Sequence, residues 1–224
     1  MCGRFAVGNI DQELWSAWLE TAEIEEIPDP RWNIAPTTQV MILRQDRVAV
    51  MARWGLVPAW WRKPLALMKA TTFNARSEEV TEKPMFRDAW HQKGRAGRCL
   101  VPAIGYYEWS GKKGAKTPWF VTTRRNRPGF CMAGLWAEAE VDGAMLRSCT
   151  ILTTAAGQAT AHLHPRTPVI LGDADWRDWL SGARGAELMT APPDDQVDVW
   201  EVGPAVGKVQ NDGPDLIERV GLGI

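Results

Sequence analysis

Short apolar runs, broken by Gly, Pro and polar turns, dominate the chain and predict strands. Gln39–Leu43 and Val48–Arg53 read as a hairpin around a polar turn. Further strands are predicted near 118–123, 130–139 and 146–153, with turns at Arg127-Pro128-Gly129 and Asp142-Gly143. Cys2 to Val7 and Val169–Leu171 are shorter strand candidates, and Arg98 to Trp109 reads as one buried strand ending in Glu108 among aromatic rings. Helical spacing is rarer. Asn9 is placed to cap a helix over roughly 10–20, with Ile10, Leu14, Trp18 and Leu19 on one face. Asn74 is placed to cap one starting near Ala75, and another runs from about Pro84 to Lys93. A short helix follows Thr153-Thr154-Ala155-Ala156 and ends near His162. Asp173 is placed to cap a helix through about Leu180 that buries Trp176, Trp179 and Leu180. The tail is expected to hold one more helix and a last strand near Val197–Val202. With no repeat and no linker, this order predicts one α+β domain over 1–224 with a curved, largely antiparallel sheet.

Composition narrows the function classes. The 224 residues are 45% hydrophobic and 24% charged, which is ordinary for a globular chain with a real core. No apolar run reaches the length of a membrane span, and the N-terminus lacks the apolar stretch of a signal peptide. A cytoplasmic protein in a reducing compartment is expected. Cys2, Cys99, Cys131 and Cys149 show no CxxC spacing, and His162 and His164 lack a third ligand, so neither a disulfide framework nor a metal site is expected. The net charge of −1 conceals an asymmetry: Arg44 to Arg127 carries 18 Lys and Arg against 6 Asp and Glu. Such a block serves either as a phosphate-binding face or as a solvated surface. Thirteen Trp is many for this length. Trp54 to Lys63 sets Trp54, Trp60 and Trp61 beside Arg62 and Lys63, where rings can stack on bases or fold onto the core.

The chemistry starts at Cys2. A small residue after the initiator Met favours removal of Met1, which leaves Cys2 with a free α-amine and a thiol on adjacent carbons. Their ordinary pKa values are about 7.7–8.0 and about 8.5, so both nucleophiles are partly available near neutrality. The amine condenses with an aldehyde to an imine, and the thiolate then closes a thiazolidine ring. A residue-2 cysteine is more often incidental, so Cys2 needs partners. Glu108 is one candidate, since a carboxylate in apolar surroundings is raised towards neutrality and suits proton transfer. His164, held between Pro165 and Leu163, is a second.

Six segments, taken together, resemble the SRAP family (SOS-response-associated peptidase), whose members crosslink to abasic sites in DNA. They are Met1 to Phe5, Trp32-Asn33-Ile34-Ala35-Pro36, Trp54-Gly55-Leu56-Val57-Pro58, Asn74 to Glu78, Arg98 to Trp109, and His164-Pro165-Arg166-Thr167-Pro168. The resemblance covers residues 1 to about 171. It implies a curved, β-rich domain or barrel with flanking helices and a basic groove. It assigns Cys2 as nucleophile, Asn74 as the residue that positions it, Glu108 beside the reacting centre and His164 as acid/base. It places Arg4, Arg76, Arg87 and Arg166 on the DNA backbone, and Asn33, Pro36, Trp60 and Trp61 along the same strand. The departure is after the histidine, where an acid and Arg-Met-Pro are usual and Pro165-Arg166-Thr167-Pro168 stands here.

The reaction expected from residues and resemblance together is a thiazolidine crosslink to the ring-opened sugar of an abasic site in single-stranded DNA. It needs no cofactor and fits a monomer. Two alternatives stay open: a cysteine peptidase or autopeptidase using Cys2, and a non-covalent single-strand binder.

Overall fold

The computed structural model describes residues 2–9, 16, 17, 19, 23–26, 28–112, 114–123 and 129–221. The first strands are β1 (Phe5–Ala6), β2 (Glu23–Ile24), β3 (Gln39–Arg44), β4 (Val48–Trp54) and β5 (Asn74–Arg76). Helix α1 (Pro84–Trp90) precedes β6 (Ala96–Ala103), β7 (Gly105–Lys112), β8 (Ala115–Thr123), β9 (Phe130–Val141) and β10 (Ala144–Ala155). Then come α2 (Gln158–Ala161), β11 (Arg166–Pro168), β12 (Ile170–Leu171), α3 (Trp176–Ser181) and β13 (Val197–Glu201).

Five strands close on themselves. β10 pairs with β4, β4 with β3, β3 with β6, β6 with β9, and β9 with β10. Closure removes free edges and places one face of each strand in a shared interior. Among the described residues only β10–β4, β10–β5 and β2–β4 are parallel, so the largely antiparallel expectation holds. A second, four-stranded sheet runs β1-β7-β8-β13. Every residue of β6 is buried, Arg98 included, and the run from Cys99 to Ala103 is apolar throughout.

The predicted strand over 98–109 is therefore two strands. The chain leaves the barrel at Ile104, whose N–H donates to the Ala6 carbonyl at 2.8 Å, and enters the second sheet as β7. Gly105 permits the turn-over: a Cβ there would fall 2.0 Å from Phe120 Cζ. The chain thus passes from barrel to sheet three residues before Glu108.

Other expectations are corrected. Asn74 does not cap a helix; it lies in β5, parallel to β10, with Asn74 opposite Ile151. Strand pairing outcompetes capping because β10 offers an open ladder there. Asp173 makes no side-chain cap; a 3-10 turn at Asp173–Asp175 leads into α3, which does bury Trp176, Trp179 and Leu180. The tail before β13 holds 3-10 turns, Ala186–Leu188 and Asp194–Gln196, in place of a helix. Most of the helix expected over 10–20 lies outside the described residues; within it Ser16, Ala17 and Leu19 are helical and Leu19 is buried.

Two cations of the basic block act internally. Arg98 stacks on Trp90 and Trp179, 4.5 Å from each ring centroid, and donates to the carbonyls of Trp90, Trp179 and Arg184. It pins α1 and α3 to the barrel. Arg53 donates to the Gly55 carbonyl at 2.8 Å. The charge count therefore overstates the basic surface.

Candidate active site

Trp54 builds the site from beneath. It is fully buried, meets Phe5 edge-on at 5.0 Å and Phe73 at 5.7 Å, and donates from Nε1 to the Phe73 carbonyl at 2.7 Å. One indole thus fixes both the segment carrying Cys2 and the residue preceding Asn74. The Asn74 side-chain amide then donates to the Cys2 carbonyl at 2.6 Å. Its Oδ1 is buried and has no hydrogen-bond partner among the described residues. Such an orphaned acceptor costs about 1–3 kcal/mol if it stays unmatched.

Cys2 has no exposed surface, and its thiol lies 3.6 Å from the Arg4 carbonyl. Burial raises the thiol far above its ordinary range, and the negative charge of Glu108 raises it further; the Arg4 carbonyl contact and the terminal ammonium oppose this. The resting thiol is protonated. Glu108 is buried in β7, and burial raises its carboxyl, opposed chiefly by the terminal ammonium and then by Lys116. The Glu108 carboxylate thus acts on the Cys2 thiol.

His164 sits between α2 and β11. Its Nδ1 receives the Arg166 backbone N–H at 3.0 Å. The same Nδ1 lies 3.3 Å from the Arg166 carbonyl, so both backbone groups of Arg166 face this ring nitrogen. Burial lowers its pKa first, then the terminal ammonium, Arg166 and Lys116, while the contact with the Arg166 carbonyl opposes them. Lys116 thus acts on both Glu108 and His164.

The residues expected to hold DNA separate into two kinds. Arg76 and Arg87 are exposed, with side chains 58% and 52% accessible, and pair loosely with Glu79 at 3.5 Å and Asp88 at 3.8 Å. Trp60 is 46% exposed, and its ring lies 6.2 Å from that of Trp61, which packs towards Val57 and Val141. Pro36 lines a cavity of about 310 Å³ with Trp54, Met68 and Phe73. Arg166 forks onto Glu78, Nη1 to Oε1 at 2.6 Å and Nη2 to Oε2 at 2.8 Å. Arg4 is half-buried, donating to Asn33 Oδ1 at 2.7 Å and the Val206 carbonyl at 2.9 Å.

Asn33 is corrected. It has no exposed surface, and its amide donates to the carbonyls of Val206, Lys208 and Asn211. It ties Arg4 to the C-terminal segment and cannot touch a strand of DNA. That segment's role is not legible from residue types, because a backbone carbonyl is the same for every one of them. Lys116, Tyr106 and Thr167 were also missed, although Thr167 marks the departure after the histidine. Tyr106 is buried in the same strand as Glu108, and its hydroxyl is 3.0 Å from Thr167 Oγ1.

A family model described as SOS response associated peptidase (SRAP) matches residues 1–209. The abasic site processing protein YedK of Escherichia coli is 31% identical, across 98% of this chain and 100% of its own length. The abasic site processing protein YoqW of Bacillus subtilis is 30% identical across 97% of this chain and 99% of its own. A crystal structure of a protein from Bordetella bronchiseptica superposes with a TM-score of 0.76 at 27% identity, covering 90% of this chain and all of that one.

Proposed function

We propose that this chain, which belongs to the SRAP family, processes abasic sites in DNA by joining Cys2 covalently to the ring-opened sugar. The observation that carries the reading is the convergence on one residue. Asn74 holds the Cys2 carbonyl, and Glu108 acts electrostatically on the Cys2 thiol and on the chain terminus.

Hydrolysis of the Met1–Cys2 bond first frees the Cys2 amine. Asn74 Oδ1, the buried acceptor, is the partner we assign to that amine. Neutral His164 offers a ring N–H to the sugar ring oxygen as the C1′ aldehyde opens. The amine adds to C1′, and Glu108 moves the proton from nitrogen to the departing hydroxyl, so that water leaves and an imine forms. The Cys2 sulfur then bonds to the imine carbon while its proton passes to the nitrogen. Aldehyde and residue 2 become thiazolidine and water, with no electron transferred. The raised thiol suits this order, because attack by the amine comes first and the sulfur is deprotonated only as it closes the ring. A peptidase working from a resting thiolate fits this buried thiol less well.

Arg76 and Arg87 supply exposed cations for phosphates and Trp60 an exposed ring for a base, which favours a single strand over intact duplex. Action on DNA places the protein in the cytoplasm or on the nucleoid.

Intact mass before and after incubation with a single-stranded oligonucleotide carrying one abasic site tests the reading. The expected result is loss of Met1, an adduct on the wild type and none on Cys2→Ser. A Met1-free protein that forms no adduct overturns it.

A further inference from the structure

One buried titratable side chain at the centre of the site has no task in this reaction. Tyr106 is 1% exposed on β7, two residues before Glu108, so the two side chains leave the strand on the same face. Burial raises its phenol beyond the ordinary range, so it stays a neutral hydroxyl able both to donate and to accept; the charges of Cys2 and Glu108 also act on it.

Its partner flanks the histidine. The Tyr106 hydroxyl lies 3.0 Å from Thr167 Oγ1. Thr167 lies in β11, directly after Arg166, whose N–H is on His164 Nδ1. On the other side, the Thr160 carbonyl in α2 accepts the His164 backbone N–H at 3.2 Å. Both threonines are buried. One phenol on the Glu108 strand thus holds the β11 end of the segment that carries His164. The two elements otherwise belong to different sheets: β7 to the four-stranded one, β11 to the barrel through β10.

We propose that Tyr106 and Thr167 are a positioning pair that sets the His164 imidazole against Glu108 and Cys2 across the junction of the two sheets. Neither touches the reacting atoms. The hydroxyl pair adds a side-chain tie between the sheets, and it keeps His164 partly desolvated. The charged groups acting on that imidazole are the terminal ammonium, Arg166 and Lys116. The pair alters none of them, so any change in His164 titration on its removal reports position and hydration.

Tyr106→Phe and Thr167→Val remove one hydroxyl each and keep most of the packing. Two readouts decide. The first is NMR titration of His164, assigned with His164→Asn; it stands independently of the proposed reaction. The expected result is a His164 pKa that rises towards the ordinary value in both variants as the loop hydrates. The second rests on the crosslinking reading: adduct rate against pH, with binding to an oligonucleotide carrying unreactive tetrahydrofuran in place of the abasic sugar. Each variant should lose about tenfold in rate with unchanged binding, and the double variant should be no slower than either single. His164 titrating as in wild type in both variants overturns the inference, as does a double variant whose loss is the product of the two singles. A wild type that forms no adduct overturns the proposed function alone, and the titration still decides the inference. If Tyr106→Phe fails to fold, Thr167→Val carries both readouts.

Discussion

The Asn74 amide and the Cys2 carbonyl meet at 2.6 Å across 72 positions of sequence. That bond couples β5 to the terminus and leaves the Asn74 acceptor buried beside it. Asn74→Ala should lower the rate of adduct formation by about tenfold or more, because a misplaced nucleophile loses the benefit of orientation. It should also cost about 1–3 kcal/mol of stability through the orphaned Cys2 carbonyl. Single-turnover adduct kinetics and urea unfolding check the two effects separately. Asn74→Asp keeps the shape but lacks the donor, and should be as slow.

Glu108 gives a pH signature with a definite sign. Burial raises its carboxyl in the folded state above the unfolded value. Its contribution to stability is therefore fully present below the ordinary carboxylate pKa and is lost as pH rises through the raised one. Glu108→Gln should abolish that loss, making the variant more stable than wild type at neutral pH in urea titrations. The same substitution should slow adduct formation by about a hundredfold or more, since the proton carrier is gone. Higher stability joined to lower activity is the expected pattern for a group strained by its function.

Trp60 and Trp61 should part company on mutation. Trp60→Ala removes a ring that is 46% exposed and should weaken binding to single-stranded DNA by about 1–3 kcal/mol while leaving the melting temperature unchanged. Trp61 packs against Val57, Ala139 and Val141, so Trp61→Ala should lower the melting temperature. Fluorescence anisotropy and thermal melts distinguish them.

Arg76 and Asn33 test the division between surface and interior. Arg76→Ala should reduce the salt slope of DNA binding by about one unit, as expected for one lost phosphate contact. Asn33→Ala should leave that slope alone. It should instead destabilise the fold by about 2 kcal/mol or more, because three C-terminal carbonyls and the Arg4 guanidinium lose a buried partner.

Trp54→Ala should be the most damaging of these substitutions, at about 3–5 kcal/mol by chemical denaturation. It opens a cavity between Phe5 and Phe73 and releases both segments that deliver Cys2 and Asn74.

The sequence by itself determined the strand-rich class, the hairpin of β3 and β4, and the aromatic seat of α3. Each of these is local: an apolar run with turn residues at its ends, or indoles spaced along one helical face. It also determined the chemistry of Cys2, because adjacency of amine and thiol is covalent and needs no fold. The family resemblance brought Asn74, Glu108 and His164 forward as candidates, yet at Asn74 local spacing pointed to a helix cap. Only tertiary structure decided that β10 would recruit that segment as a strand and turn its amide onto Cys2. Only tertiary structure decided that the run from Arg98 to Trp109 breaks at Ile104, since both halves are apolar and the break is made by a partner, the Ala6 carbonyl. The same holds for Asn33, whose neighbours are backbone carbonyls some 170 to 180 positions away. Burial and pairing are set by which surfaces meet, and those meetings across long sequence separations decide which polar residues stay exposed and which hold the chain together.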